Sequence, residues 1–244
     1  GHRSTYLHST AVCSGNGMGL SFSDKAFPIV PMFHANAWGL PYAALMAGAD
    51  ILLPDRHMDA KTLVHMIETQ RPTVAGAVPT IWNDVMNYLE REPGHDISSL
   101  RLVACGGSAV PMSLMKTFEE RHGVQIRQLW GMTETSPTAT LAWPPPGTPT
   151  ARSWEIRGTQ GRPMCGVETR IVDDEGAALP HDGEAVGELE VRGPWITGSY
   201  YRNTDESKFQ SGWLRTGDVG RIDPQGYITL TDRAKDVIKS GGEW

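Results

Sequence analysis

Cysteine is scarce in this sequence and never clustered. Cys13, Cys105 and Cys165 are the only three in 244 residues, and no two stand in a Cys-x-x-Cys spacing. This argues against a disulfide framework or a cysteine-built zinc site and points to a reducing, cytoplasmic setting. A surplus of positive charge is also missing. Lys and Arg number 22 against 28 Asp and Glu, a net charge of −6. The deficit holds along the chain, with 10 basic and 12 acidic residues over 1–150, and 12 and 16 over 151–244. Nucleic-acid backbones are bound by clustered Lys and Arg, so nucleic acid is not an expected partner. Long apolar runs are absent too. The best candidate, Ala26 to Ala49, carries no charged residue but is broken by Pro28, Pro31, His34, Asn36, Gly39 and Pro41. A spanning helix needs about 20 continuous apolar residues, so no transmembrane segment is expected there. No basic–apolar–small signal pattern opens the chain, and no internal repeat is evident.

What remains is the composition of a globular protein, 39% hydrophobic and 20% charged, with 27 Gly and 17 Pro supplying turns. A chain of this length buries roughly 70–75% of its unfolded surface. Short apolar runs at Ala26–Val30, Ala49–Leu53, Thr73–Ala77, Leu100–Cys105 and Val124–Trp130 read as strands. Between them Asp59 is placed to cap a helix through Leu63, Val64, Met66 and Ile67. Pro79 and Pro111 suit the first turns of two more. Strands alternating with helices predict an α/β fold with a mainly parallel sheet layered with helices. The proline-rich stretch from Thr135 to Trp154 reads as a loop or domain joint. Beyond Gly161, period-two alternation at Glu188–Arg192 and Tyr227–Thr231, with turns at Asp174-Glu175-Gly176 and Pro224-Gln225-Gly226, predicts a small antiparallel β-subdomain. The expected division is 1–160 for the α/β portion, 161–232 for the β-rich subdomain, and 233–244 for a hinge and the start of something further.

Three clusters could carry chemistry. Gly106-Gly107-Ser108-Ala109 follows a buried strand, where glycines let the backbone approach a flat ring or phosphate; a tight strand-to-helix turn would need the same glycines. Gln128-Leu129-Trp130-Gly131-Met132-Thr133-Glu134 offers a ring to stack on a base, a hydroxyl for a phosphate oxygen and a carboxylate for a hard cation. Here Trp130 as core and Glu134 as a helix-start residue is the other reading. Thr216-Gly217-Asp218 and Asp232-Arg233-Ala234-Lys235-Asp236 supply a carboxylate for ribose hydroxyls and a guanidinium fork for vicinal oxygens. A Gly-Asp turn and a surface ion-pair run would look alike.

In this order the clusters resemble the adenylate-forming superfamily of acyl-CoA and aryl-CoA synthetases, luciferases and peptide-synthetase adenylation domains, over essentially the whole chain. The resemblance implies ATP/AMP, Mg²⁺ and coenzyme A as cofactors, and a small carboxylic acid as partner. It implies Thr133 and Glu134 as catalytic, with Glu134 holding Mg²⁺. Gly107, Ser108, Ala109, Gln128, Leu129 and Trp130 would frame the adenine, Asp218 and Arg233 would hold the ribose, and Lys235 and Lys239 would serve the nucleotide near the hinge. Pro31-Met32-Phe33-His34-Ala35-Asn36-Ala37-Trp38, Gly193-Pro194-Trp195-Ile196-Thr197-Gly198 and Lys239-Ser240-Gly241-Gly242-Glu243-Trp244 are similar to the medium- and long-chain fatty acyl-CoA ligase branch. There His34 would lie against the acyl-adenylate as a further catalytic group, Ala35, Trp38 and Trp244 would face the acid, and the Trp38 ring would gate an acyl tunnel. Trp38 as a core aromatic on an amphipathic helix is the competing reading, and the motif does not fix chain length.

Two residues depart from the family pattern: Trp130 stands where Tyr is usual, and Leu129 where a small residue is usual. The family's phosphate loop and its C-terminal lysine are absent, so the chain reads as an interior fragment, expected to be inactive alone. A non-catalytic nucleotide- or acyl-binding module is a rival reading, as is a ligase for a short methylthio-, aryl or amino acid. A homodimer of the longer protein and attachment to a membrane surface are left open.

Overall fold

The computed structural model describes residues 1–202 and 207–233. Its first layer is a seven-stranded sheet of β1 (Lys25–Pro28), β2 (Asp50–Ile51), β3 (Val74–Ala77), β4 (Leu102–Cys105), β5 (Ile126–Gly131), β6 (Thr138–Leu141) and β7 (Arg162–Pro163), in the order β2-β1-β3-β4-β5-β6-β7. The strands from β2 to β5 pair in parallel, and β6 and β7 close the sheet antiparallel. β3 and β4 are buried at every residue, as strands covered on both faces must be. The expected strands are all present, with ends shifted by one or two residues: β2, β3 and β4 are shorter than expected, while β1 starts at Lys25 and β5 runs on to Gly131.

Alternate strand residues feed two cores. Ala26, Val74, Leu102, Ala104 and Leu129 face α1 (His2–Cys13) and α2 (Leu40–Ala47). Phe27, Ala75, Val103, Cys105 and Ile126 face α3 (Ala60–Gln70), α4 (Pro79–Arg91) and α5 (Met112–His122). Asp59 caps α3 by accepting the Thr62 N–H at 2.9 Å, and Pro79 opens α4. A last helix, α6 (Thr150–Arg157), precedes β7.

The second sheet is antiparallel throughout. It comprises β8 (Glu168–Val172), β9 (Gly187–Arg192), β10 (Phe209–Gln210), β11 (Trp213–Ile222) and β12 (Ile228–Arg233), ordered β10-β11-β9-β8, with β12 on β11. The two sheets are joined where Ile228 N–H donates to Gly161 O at 3.0 Å and Gln160 N–H to Ile228 O at 2.8 Å. The architecture is therefore the expected α/β class with a following antiparallel unit.

The stretch from Thr135 to Trp154 is more ordered than its prolines suggested. It holds β6 and the first turns of α6. Thr138 and Thr140 are β-branched and buried, which suits a pleated strand, while Pro149 pre-sets the backbone at the start of α6. Only the prolines between them remain in a loop. Among the described residues, no helix is long and apolar enough to cross a membrane.

Candidate nucleotide and acyl site

A cavity of about 1000 Å³ opens where the carboxyl ends of β4 and β5 meet the second sheet. Open α/β sheets bind ligands at this place. Its walls combine Gly107, Ser108 and Ala109 after β4, Gln128 to Met132 along and just past β5, and Thr216, Gly217 and Asp218 on β11. Three clusters far apart in sequence thus share one space.

Local chemistry explains how each wall is held. Gln128 is buried, accepts the Val110 N–H at 2.6 Å and donates to Thr159 O at 2.8 Å. It ties the glycine turn to the segment that leads into β7. On β11 the pairing with β9 shifts register between Arg215 and Val219. The irregularity carries Gly217 at φ +77°, a backbone state favouring glycine, and bulges of this kind re-aim a side chain. Thr216 Oγ1 donates to Leu189 O at 2.7 Å. Glu188, buried on β9, accepts from Arg215 Nε at 2.9 Å and from Gly217 N–H at 3.1 Å. The re-aimed residue is Asp218, whose Oδ2 accepts the Trp130 indole N–H at 2.8 Å. That bond links the Trp130 and Asp218 clusters directly across 88 positions of sequence.

Thr133 and Glu134 follow Met132 in a 3₁₀ turn held by Met132 N–H donating to Thr135 Oγ1 at 2.9 Å, and neither lines the cavity itself. Thr133 is exposed and Glu134 half-buried. Glu134 accepts the Tyr200 hydroxyl at 2.6 Å, and its main-chain carbonyl accepts Thr197 N–H at 2.8 Å. The hydrogen bond to this carboxylate pushes the Tyr200 hydroxyl up to about 12.

His34 is exposed and Ala35 half-buried, and neither lines the cavity. They begin a turn in which Ala35, Asn36, Ala37 and Trp38 all have φ between +46° and +57°. Trp38 is buried, as a core aromatic would be, but it sits on this left-handed turn and not on an amphipathic helix. Its indole lies 3.9 Å from the position a Gly107 β-carbon would take, so it adjoins the cavity wall. Arg233 pairs with Asp218 across β11 and β12; its side chain, with Lys235, Lys239 and Trp244, lies outside the described residues.

Sequence reasoning missed several supports. Glu188, Tyr200, Gln160 and Lys208 border or brace the site without any local motif. His8 on α1 is only 1% exposed; its Nε2 accepts the Thr138 N–H at 3.1 Å, and Gly39 leaves room for its ring. Burial pushes its pKa down to about 4.

Comparison with known proteins bears on this geometry. A family model described as AMP-binding enzyme matches residues 2–201. The 3-methylmercaptopropionyl-CoA ligase of Ruegeria lacuscaerulensis is 45% identical over 246 residues, covering 100% of this chain and 46% of the relative. The medium-chain-fatty-acid–CoA ligase of Ectopseudomonas oleovorans is 42% identical, covering 100% of this chain and 45% of the relative. The crystal structure of the anthranilate CoA ligase AuaEII in complex with anthranoyl-AMP superposes with a TM-score of 0.85 at 30% identity, covering 100% of this chain and 46% of that one. The chain spans about half the length of the curated relatives it matches.

Proposed function

The chain belongs to the AMP-binding enzyme family, and from that premise we propose that the protein carrying it is an AMP-forming acid–thiol ligase. In the first half-reaction a carboxylate oxygen attacks the α-phosphorus of MgATP, and the bond to the bridging oxygen of pyrophosphate breaks. In the second, the coenzyme A thiol attacks the acyl carbon, loses its proton, and expels AMP. The observation that carries this reading is the Trp130–Asp218 hydrogen bond. It holds an aromatic ring able to stack on a base and a carboxylate able to accept ribose hydroxyls on one cavity wall.

Little covalent chemistry is asked of the protein, so its residues act by positioning and charge. Gly107, Ser108, Ala109, Gln128, Leu129 and Trp130 frame the adenine. Asp218 accepts ribose hydroxyls, with Arg233 assisting, and Thr133 donates to a phosphate oxygen. Among the described residues no three His, Cys, Asp or Glu side chains gather. That donor set suits a magnesium ion that arrives on the nucleotide's phosphates and takes one carboxylate from the protein, a role given to Glu134 and oriented by Tyr200. Lys235 is assigned to the hinge between half-reactions, and Lys239 and Trp244 to the nucleotide and the acid. The unit boundaries at 160 and 232 belong to this same reading.

The acid is aliphatic in this reading. The uncharged segment from Ala26 to Ala49 brings the apolar Trp38 ring to the cavity wall, with His34 at the entrance to its turn, and no charged residue of that segment would pair with a second carboxylate or an amine. The test is product identity. The complete gene product, given ATP, Mg²⁺, coenzyme A and aliphatic acids, should release AMP and pyrophosphate with one thioester per AMP. Release of ADP and phosphate, or a preference for benzoates or amino acids, would contradict the proposal.

A further inference from the structure

Gly76 lies within β3, and Gly106 and Gly107 follow β4 directly. Together they clear one face of the sheet at its carboxyl ends, the face that also carries α1 and α2. Two side chains fill the trough so formed. Trp38 crosses it, 3.9 Å from the β-carbon positions of both Gly76 and Gly107. Leu129 fills the other end, its Cδ1 only 2.5 Å and its Cγ 3.0 Å from the β-carbon position of Gly106. The pairing of Cys105 with Gln128 sets these two neighbours side by side. Gly107 and Leu129 also line the nucleotide cavity, so cavity and trough share a wall.

The two fillers differ in how firmly they are held. Trp38 ends a run of four left-handed residues, a state that L side chains such as Ala and Trp disfavour; relaxing that turn would carry the ring away. Leu129 has no such freedom. It lies inside β5, which is paired with β4 on one side, and Leu129 itself pairs with Leu141 of β6 on the other. It is 6% exposed, and its branched end leans over Gly106.

We infer that Leu129 is the fixed end-stop of the acyl pocket and restricts the enzyme to short aliphatic acids. The inference rests on the ligase reading above and adds the chain length it leaves open. An acid whose carboxylate meets the α-phosphate must pass its chain from the cavity into the trough. Trp38 can yield to it, and Leu129 cannot. A short chain ends before Leu129; a longer one needs the space its isobutyl group occupies. Because each further buried methylene strengthens binding about fourfold, removing that group should favour longer acids steeply.

The experiment measures kcat/KM for thioester formation by the complete gene product with straight-chain acids from C3 to C12. The parent should prefer C3–C5. In Leu129→Gly the ratio of the C8 to the C4 value should rise at least tenfold. Leu129→Ala, which keeps a β-carbon, should shift the ratio the same way by less, and it carries the test if the glycine variant does not fold. A parent that prefers C8–C12 overturns the inference. So does a ratio within twofold of the parent in the folded variants, or a change confined to KM for ATP, which would make Leu129 a wall of the adenine pocket alone. A parent that forms neither adenylate nor thioester from any acid overturns the ligase reading, and the inference with it.

Discussion

Lowering the pH from 7 to 5 should destabilise this fold through one buried ring. His8 accepts the Thr138 N–H through Nε2, which requires a neutral imidazole with its proton on Nδ1. In the unfolded chain the ring takes up a second proton below its ordinary 6.5; in the folded chain, burial delays this to about 4. Between those values the unfolded state binds more protons, so stability falls as pH falls. The full loss is about 3 kcal/mol by pH 4, of which roughly 2 kcal/mol accrues between pH 7 and 5. Asp24 acts with the same sign in a lower pH window. Its hydrogen bonds to Arg101 and Thr73 hold its carboxyl well below the usual range, so its stabilisation is lost only below about 3.8, outside this window. His122 is also lowered by burial and acts with the same sign, so His122→Gln serves as a control. Urea melts at pH 7 and 5 check the point. In His8→Gln an amide oxygen can accept the Thr138 N–H without titrating, so the variant should lose most of the pH dependence. A dependence in His8→Gln equal to that of the parent would mean that His8 does not carry it.

Three other outcomes are expected. Gly106→Ala should cost about 1–3 kcal/mol in denaturant melts, because its β-carbon would meet Leu129 Cδ1 at 2.5 Å and Leu129 O at 2.8 Å. Combined with Leu129→Ala the cost should shrink by about 1 kcal/mol, a non-additivity a double-mutant cycle reads directly. Trp130→Phe keeps a stacking ring but removes the donor to Asp218; KM for ATP should rise roughly tenfold, matching the ~1.5 kcal/mol of a hydrogen bond to a charged group. Tyr200→Phe frees the Glu134 carboxylate from its orienting hydroxyl. The apparent affinity for Mg²⁺ during turnover should weaken by about tenfold, and the tyrosine that ionises near 12 should vanish from the ultraviolet titration.

Sequence reading reached what local rules determine. Asp59 caps α3 and Pro79 opens α4 because capping and fixed φ act within one turn. The parallel strands were legible because strands covered on both faces must be apolar throughout. β6 was hidden by the prolines around it, although its alternating threonines fit a pleated strand. α1 gave little periodic signal, since its buried residues include His8 and Ser9 beside Ala11 and Val12. Alternation at Glu188–Arg192 identified a strand, and its Glu188 and Glu190 are buried. Arg215 and Arg170 reach across from neighbouring strands to pair with them, a partnership no spacing rule reveals. Residues of the three clusters line one cavity, but the bond that joins Trp130 to Asp218 spans 88 positions. The left-handed turn carrying Trp38 is a tertiary outcome too, since Ala and Trp do not adopt that state on local preference.

An enzyme that forms an acyl-adenylate and pyrophosphate from ATP also runs that step in reverse. The most direct measurement is exchange of labelled pyrophosphate into ATP by the complete gene product in the absence of coenzyme A. Exchange should require both Mg²⁺ and a short aliphatic acid, and should fall by at least tenfold in Asp218→Ala. Exchange that proceeds without any acid, or acid-dependent exchange untouched by loss of the Asp218 carboxylate, would contradict adenylate formation in this cavity.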